Sequence, residues 1–486
     1  MYLTFDVGTT ALKSALIDRS GRSVAVHAQE YSFSAPRPDW AQAPVQTYWD
    51  AAVAGTRAVF GQSKSDPAKL AAIGFSSQGQ TFVPVDRSGK PLYDAIVWVD
   101  NRAQEIAQDW EKTWLSREDY RLLSGYPWIP SVLTVFKLAW LRANAPDALR
   151  AWKILLLPDY LIYRLTGEVV TDPVTAQSTG MYDLSTGEWA PGLVEAAGIS
   201  TEQLPRVVPS GTVAGRLRPE AASELGLVPG IPVCVGTNDQ LAGAIGAGNV
   251  RPGIVTETTG TALALVATTS ERLDDPRVTV GRHAVEGSWF VLSFATTSAI
   301  VLKWFRDICS PGEDYDSFLA GVESIPPGCD GITMIPHFAG TAMPTFNPAA
   351  RGAFSGLALG HTRAHLARAI MEACACSLRE LLEPVLDRGV GVESVRSLGG
   401  AARSDVWLQM KADLLGVPVE RPACSDAASV GAAAIAAGGI GCYTSVAEAS
   451  DAWYRRERVF EPNPSLFNAY REVYQRYLEL YRKLHG

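Results

Sequence analysis

Tyr2-Leu3-Thr4-Phe5-Asp6-Val7-Gly8-Thr9-Thr10-Ala11-Leu12-Lys13-Ser14-Ala15-Leu16-Ile17-Asp18 is the stretch whose reading decides the fold. Residues 2–5 and 12–17 are β-prone runs. Between them lie an acid, one glycine and two hydroxyls, which is turn chemistry at hairpin spacing. Ser20-Gly21 then turns the chain into a third strand, residues 23–28. A loop of this composition offers backbone N–H groups and hydroxyls to a phosphate chain. Asp6, at the end of the first strand, suits a magnesium ion, which takes few carboxylates and prefers phosphate oxygens beside them. The loop runs into a strand and lacks a Gly-Lys-Ser/Thr ending, so it is not a P-loop. The competing reading is an ordinary hairpin whose Asp and Thr residues serve the turn. The rest of the chain decides between them.

With 486 residues, 47% hydrophobic and 19% charged, the chain is long enough for two cores and too long for one. A formal net charge of -8 argues against nucleic-acid and anionic-membrane partners. No basic-then-apolar segment precedes the first strand, and no apolar run reaches the roughly 20 residues of a membrane span. Seven cysteines without a C-x-x-C pair suit the reduced, buried thiols of a cytoplasmic protein. His361 and His365 are four apart without an evident third ligand, so a solvated helix start is a better reading than zinc.

Further along, residues 48–60 have a helix period, and residues 70–75 read as a buried strand ending in Ser76-Ser77-Gln78-Gly79-Gln80-Thr81. Residues 82–85 and 95–99 are strands, the second ending in Trp98-Val99-Asp100-Asn101-Arg102. A mostly helical segment, 103–204, leads to a strand at 233–235, then Gly236-Thr237-Asn238-Asp239-Gln240 and a small-residue helix. Strands alternating with helices predict an α/β layer architecture, with ligands beyond the carboxyl ends of the strands. The opening pattern then returns. Residues 254–258 are a strand, Thr259-Gly260-Thr261 a turn and 262–267 the return strand. This echo predicts one hairpin loop per half and two domains, 1–244 and 245–486. In the second half, 298–308 reads as a helix with Trp304 and Phe305 inward, 362–385 as a long helix and 395–398 as a strand ending in Gly399-Gly400-Ala401. Helices at 405–415, 426–437 and 468–484 complete it.

The first loop resembles the phosphate loop of the actin, hexokinase and sugar-kinase superfamily, and the whole chain resembles the FGGY carbohydrate kinases. Gly352-Ala353-Phe354-Ser355-Gly356-Leu357, followed by His365-Leu366-Ala367-Arg368-Ala369-Ile370-Met371-Glu372, fits that family's second signature position for position. Asp6 to Thr10 with Lys13, Trp98 to Arg102, Asp239-Gln240, Gly260-Thr261 and Gly399 to Ser404 follow in the family's order. Residues 336–344 depart from it. Gly340 and Pro344 match the family's Gly-Glu-Arg-Thr-Pro run, while its Glu and Arg are missing.

The resemblance implies two ribonuclease H-like domains flanking a catalytic cleft, closing on ATP, Mg2+ and a sugar so that water cannot take the γ-phosphate. It implies Asp239 as the base for the sugar hydroxyl and Asp6 as the magnesium ligand. Thr9, Thr10, Lys13, Gly260, Thr261, Gly400, Ala401 and Ser404 would serve the nucleotide, and Ala299 and Lys303 fall where related kinases meet the adenine. Gly79, Gln80, Trp98, Asp100, Asp239 and Gln240 would serve the sugar. Residue by residue, each has a plainer reading. Asp239 is equally a helix N-cap, whose position would lower its pKa. Lys13 reads equally as a solvated strand lysine, Trp98 as core, and Asp100 and Arg102 as a pair with each other. The chain is most like the xylulokinases, which implies D-xylulose as acceptor. In the sugar-side loop Gln78 matches their Gln, while Gly79 and Gln80 stand where they typically have a His and a Met, so ribulose, L-xylulose, erythritol and glycerol are alternatives. Glycerol kinases carry an Arg-Glu pair in this loop, and residues 76–81 have neither. Gln80 instead offers a neutral polyol both a donor and an acceptor. A homodimer is common in the family, and an actin-like ATPase without sugar kinase activity is the rival from another class.

Overall fold

The computed structural model describes residues 1–424 and 426–486. Its opening hairpin follows the turn chemistry. Tyr2–Val7 pairs antiparallel with Ala11–Ile17, Asp6 opposite Lys13, and Ala11–Ile17 pairs antiparallel with Ser23–Glu30. Tyr2–Val7 then has Ala72–Ser77 as a parallel neighbour, Asp6 beside Ser76. A parallel step needs a crossover, and helix Gln46–Ser63 lies in it. On the far side of Ala72–Ser77 run Pro232–Cys234 and Thr237–Asn238, also parallel. Phe5, Phe75 and Val233 pack with Tyr48 and Trp49 in one buried core.

The second half repeats this order. Trp289–Ala295, Leu263–Thr269, Ile254–Thr259, Ser394–Leu398 and Val419–Pro422 lie side by side. Ile254–Thr259 is antiparallel to Leu263–Thr269 and parallel to Ser394–Leu398. Helix Arg363–Asp387 lies in the crossover before Ser394, and Arg456–Phe460 adds an antiparallel edge. Each half is thus a ribonuclease H-like sheet of the actin/hexokinase superfamily.

The expected single cut between 244 and 245 does not describe the contacts. One unit is Met1–Val250 with Val280–Trp289 and Cys424–Tyr454; the other is Arg251–Thr279 with Phe290–Ala423 and Arg455–Gly486. The return of the 424–454 segment has a physical cause in its small residues. Helix Ala427–Gly439 crosses helix Asp239–Gly246 so closely that a Cβ on Gly431 would lie 1.8 Å from the Ala242 carbonyl oxygen, and one on Gly246 1.8 Å from that of Ala427. Only glycine permits such backbone contact. Gly431→Ala should therefore part the two helices and cost about 3 kcal/mol of stability, measured by urea denaturation against the wild type.

Other expectations shift in detail. The strand expected over 95–99 shortens to Ala95–Ile96, because Asp100 N–H turns back to the Val97 carbonyl at 3.0 Å. Within the helical segment the apolar run from Lys153, which reads as a strand or helix stub before a helix at 160–165, is the strand Lys153–Leu156 leading into helix Leu157–Thr166. Phe305 is buried as expected, but Trp304 is 42% exposed, its ring lying edge-on to Phe338. The family signature on helix Arg363–Asp387 proves structural in its last turns. Arg368 Nε donates to Glu372 Oε1 at 3.0 Å and its NH2 group to Tyr470 Oη, tying this helix to the terminal helix Phe467–His485. All seven cysteines are free. Among the described residues no helix is long and apolar enough to cross a membrane.

Candidate active site

In the first unit the expected residues gather where three parallel strands end. Asp6, Ser76 and Thr237 stand in register on adjacent strands, so the outer two backbones lie about 10 Å apart. Ser76 Oγ donates to Asp6 Oδ1 at 2.7 Å, and Asp6 Oδ2 meets the Lys13 ammonium at 3.7 Å. Burial raises the Asp6 carboxyl above its ordinary value, against the pull of Ser76 and Lys13. Lys13 is not a free strand lysine, since its ammonium also donates to Asp426 Oδ1 at 2.9 Å. Burial alone would lower its pKa; Asp426 and then Asp6 overcome this and raise it.

The turn after Asp6 is braced through one carbonyl. Gly8 O accepts from Tyr31 Oη at 2.6 Å and from Gln78 Nε2 at 2.9 Å. Thr9 Oγ1 accepts from Trp98 Nε1 at 2.8 Å, while Thr10 is exposed. Trp98 is therefore not core. It is 37% exposed and tied to the phosphate-type turn.

Two devices aim the sugar-side loop. Gln80 sits in the left-handed region, φ 57°, which is costly for a residue with a side chain. It is held there from both sides: its N–H donates to Ser178 Oγ at 3.1 Å, and its carbonyl accepts from Thr134 Oγ1 at 2.9 Å. Gly79 precedes it, buried against Ser178. The second device is Lys137, wholly buried, whose ammonium donates to the carbonyls of Val97 at 2.9 Å and Trp98 at 3.0 Å. Burial pushes it down to about 7, although Asp100 acts the other way. Nothing in the run Thr-Val-Phe-Lys-Leu-Ala-Trp-Leu marks this lysine except that it is the one charge among apolar residues there.

Asp239 opens helix Asp239–Gly246 directly after the strand Thr237–Asn238. The N-cap is Asn238, whose Oδ1 accepts from Gln240 N at 3.0 Å. Asp239 Oδ1 accepts from the same N–H at 2.7 Å. Thr237 below it donates to the buried Asp172, Oγ1 to Oδ2 at 2.9 Å. The expected lowering of the Asp239 pKa is corrected. Burial, and then the negative charge of Asp6, push it up from 3.8 to about 7, beyond what the helix end and Gln240 N–H can offset. That Asp6 acts on it at all puts the two carboxylates in one electrostatic neighbourhood.

Asp100 is the clearest correction among the sugar-side residues. Its side chain is fully buried and saturated. Asp100 Oδ2 accepts from Ala41 N at 2.6 Å and Arg102 NH2 at 2.7 Å, and Oδ1 from Arg102 N and Nε. The Arg102 guanidinium lies 3.9 Å from the Trp40 ring and 5.0 Å from that of Trp140. This pair anchors the turn that carries Trp98 and leaves no oxygen for a sugar.

The second unit holds a cavity of about 920 Å³. Of the residues expected on the nucleotide side, Gly260, Gly400, Ala401, Ser404 and Ala299 line it, with Thr259 beside them, whereas Thr261 and Lys303 are not in its wall. Lys303 instead pairs with Asp307. Ser404 also caps helix Asp405–Leu415, accepting from Trp407 N at 3.3 Å. Of the apolar walls, Leu302, Tyr315 and Trp407 carry no motif, and Met371 belongs to the second signature, which does not mark it as a wall. The turn differs from the first in one respect. Aligning Gly260 with Gly8 puts Thr258 where Asp6 stands, and the acid, Glu257, one residue earlier. Side chains alternate along a strand, so Glu257 points to the opposite face, buried against Lys411 at 2.6 Å. Of the two turns, the first has an acid two residues before its glycine and the second a threonine.

The profile of the FGGY family of carbohydrate kinases, N-terminal domain, matches residues 1–246, and that of the C-terminal domain residues 255–439. The xylulose kinase of Bacillus subtilis (strain 168) is 27% identical over 483 residues, 98% of this chain and 95% of its own length. A glycerol kinase of Thermococcus gammatolerans is 31% identical over 480 residues, 95% of this chain and 93% of its own. The crystal structure of xylulose kinase from Rhodospirillum rubrum matches the fold with a TM-score of 0.92 at 29% identity, covering 99% of this chain and 98% of that one. With both domain profiles matched in order along a fold of this kind, the chain belongs to the FGGY family of carbohydrate kinases.

Proposed function

We propose that the chain transfers the γ-phosphoryl group of ATP to a hydroxyl of a neutral ketopentose, with D-xylulose as the first substrate to test. The observation that carries this reading is the placement of Asp239 at the head of its helix, past the strand end that stands in register with Asp6, where burial first and then the Asp6 charge push it up to about 7. A carboxylate of that pKa is suited to accept a hydroxyl proton at neutral pH. Asp6 suits Mg2+ because, among the described residues, the contact of its Oδ2 is the Lys13 ammonium at 3.7 Å, beyond hydrogen-bond range, which would leave that oxygen to a cation. The ion would spread the charge of the phosphates. The turn at Thr9 and Thr10, with Lys13, would meet the phosphates from this unit; the 920 Å³ cavity would hold the nucleoside. Trp98 and Gln80 would hold the sugar, the indole packing on its carbon chain and the amide on its hydroxyls. No cation lies in the 76–81 loop, which disfavours an aldonate.

A release-of-ADP screen over pentuloses, hexuloses, polyols and aldonates tests the reading. A pentulose, D-xylulose first, should give the highest kcat/KM. The similarity to glycerol kinases makes glycerol the second arm. ATP hydrolysis that no sugar or polyol stimulates would overturn the proposal in favour of an actin-like ATPase. Trp98 offers a finer test. Trp98→Ala should raise the sugar KM about tenfold, whereas Trp98→Phe, which keeps a ring but loses the bond to Thr9, should raise it about threefold. Steady-state kinetics at saturating ATP would separate them.

A further inference from the structure

The acid at the head of helix Ala427–Gly439 does something other than begin a helix. Asp426 stands at the N-cap position, yet its side chain caps no helix N–H. It is 8% exposed, and Oδ2 has no hydrogen-bond partner. A buried carboxylate without compensation is costly, and the compensation here is Lys13, across 413 residues of chain. The Lys13 ammonium has two acids in reach and makes an unequal choice. It donates to Asp426 Oδ1 at 2.9 Å and stands off from Asp6 Oδ2 at 3.7 Å, beyond hydrogen-bond range.

We propose that Asp426 is a positioning residue that draws the Lys13 ammonium away from Asp6 and so keeps the Asp6 carboxylate open to a divalent cation. This rests on the proposal above that Asp6 serves the metal. The two acids have separate duties: Asp6 offers an oxygen to the ion, and Asp426 occupies the lysine that would otherwise neutralise that oxygen. With the Asp426 charge removed, the ammonium has one acid left and closes on Asp6. A divalent ion must then displace it. The geometry explains why a buried acid is retained at a helix start whose N–H groups it does not serve.

The test is Mn2+ alone titrated into the nucleotide-free protein, with free ion read by electron paramagnetic resonance. Asp6→Asn and Asp426→Asn should each weaken Mn2+ binding by about tenfold, a difference of about 1.4 kcal/mol. In a Lys13→Met background, Asp426→Asn should change nothing, because no ammonium remains to be held. Lys13→Met alone should bind Mn2+ at least as tightly as the wild type, and it carries the test should Asp426→Asn fail to fold. Wild-type affinity in Asp426→Asn, or weaker binding in Lys13→Met, would overturn the proposal. So would an equal loss from Asp426→Asn with and without Lys13, since Asp426 would then act on the ion directly. An Asp6→Asn variant that binds Mn2+ like the wild type would instead remove the metal reading of Asp6 itself.

Discussion

Asp239→Asn should lower kcat by about 10³- to 10⁴-fold while leaving the KM values for sugar and nucleotide within about threefold. Asn keeps the shape of the side chain and an oxygen for Gln240 N–H, which now sits at 2.7 Å from Asp239 Oδ1. What it removes is the ability to take a proton. The pH dependence follows with its sign. Asp239 has to be ionised to act, and burial with the Asp6 charge lifts its pKa from 3.8 to about 7. In the wild type, kcat/KM should therefore fall about tenfold per pH unit below 7 and level off above it. Stability runs the other way. A carboxyl whose folded pKa exceeds its unfolded value binds its proton more tightly in the native state. Its contribution is intact below about 4 and is lost as pH rises through about 7. Asp239→Asn, which never ionises, should then be more stable than the wild type at pH 8, by an amount on the order of 1 kcal/mol. Denaturation at pH 5 and pH 8 checks this: the variant's advantage should shrink at the lower pH. A variant both inactive and destabilised at pH 8 would mean that Asp239 serves the helix rather than the reaction.

Much of this site was legible because its residues come in short, ordered runs with a local reason to exist. The hairpin at Asp6 to Thr10 follows from strand–turn–strand chemistry, and its echo at Thr259 to Thr261 from the same pattern. What stayed hidden depends on burial and on partners distant in sequence. The pKa of Asp239 was expected to fall, because a helix N-terminus is visible in sequence while desolvation and the nearness of Asp6 are not. Asp100 reads either as a sugar ligand or as the partner of Arg102, and what decides for the pair, its burial and the Ala41 N–H 59 residues away, is not visible in the sequence. Lys137 reads as an unremarked helix position until its burial beneath the Trp98 turn is seen. Asp426 is in sequence only the first residue of the helix expected over 426–437, and only the geometry shows that Lys13 takes its charge. The return of 424–454 to the first unit stayed hidden for a related reason: small residues mark helix 427–439 as tightly packed without naming the helix it packs on.

Lys411→Met should cost about 3–5 kcal/mol of stability in the second unit. Lys411 and Glu257 have side chains 1% and 0% exposed. The ammonium also donates to Thr259 Oγ1 at 2.9 Å, and Thr259 Oγ1 in turn donates to Glu257 Oε2 at 2.6 Å. Ser397 Oγ donates to the other Glu257 oxygen. Removing the lysine leaves a buried carboxylate with two hydroxyls and no counter-charge, and it is this stranded charge that destabilises. The double variant Glu257→Leu/Lys411→Met removes both charges and should therefore lose less than Lys411→Met alone, a sign that a simple packing defect would not produce. The damage has a defined address. The network joins strand Ile254–Thr259, strand Ser394–Leu398 and helix Asp405–Leu415, and Thr259 and Trp407 at their ends line the 920 Å³ cavity. Hydrogen exchange should accordingly lose protection at 254–259 and 394–398 while 2–7 keeps its own, and ADP affinity should fall in Lys411→Met. Unchanged exchange at 254–259 would show that the strands and their hydrophobic neighbours hold this turn without the buried pair.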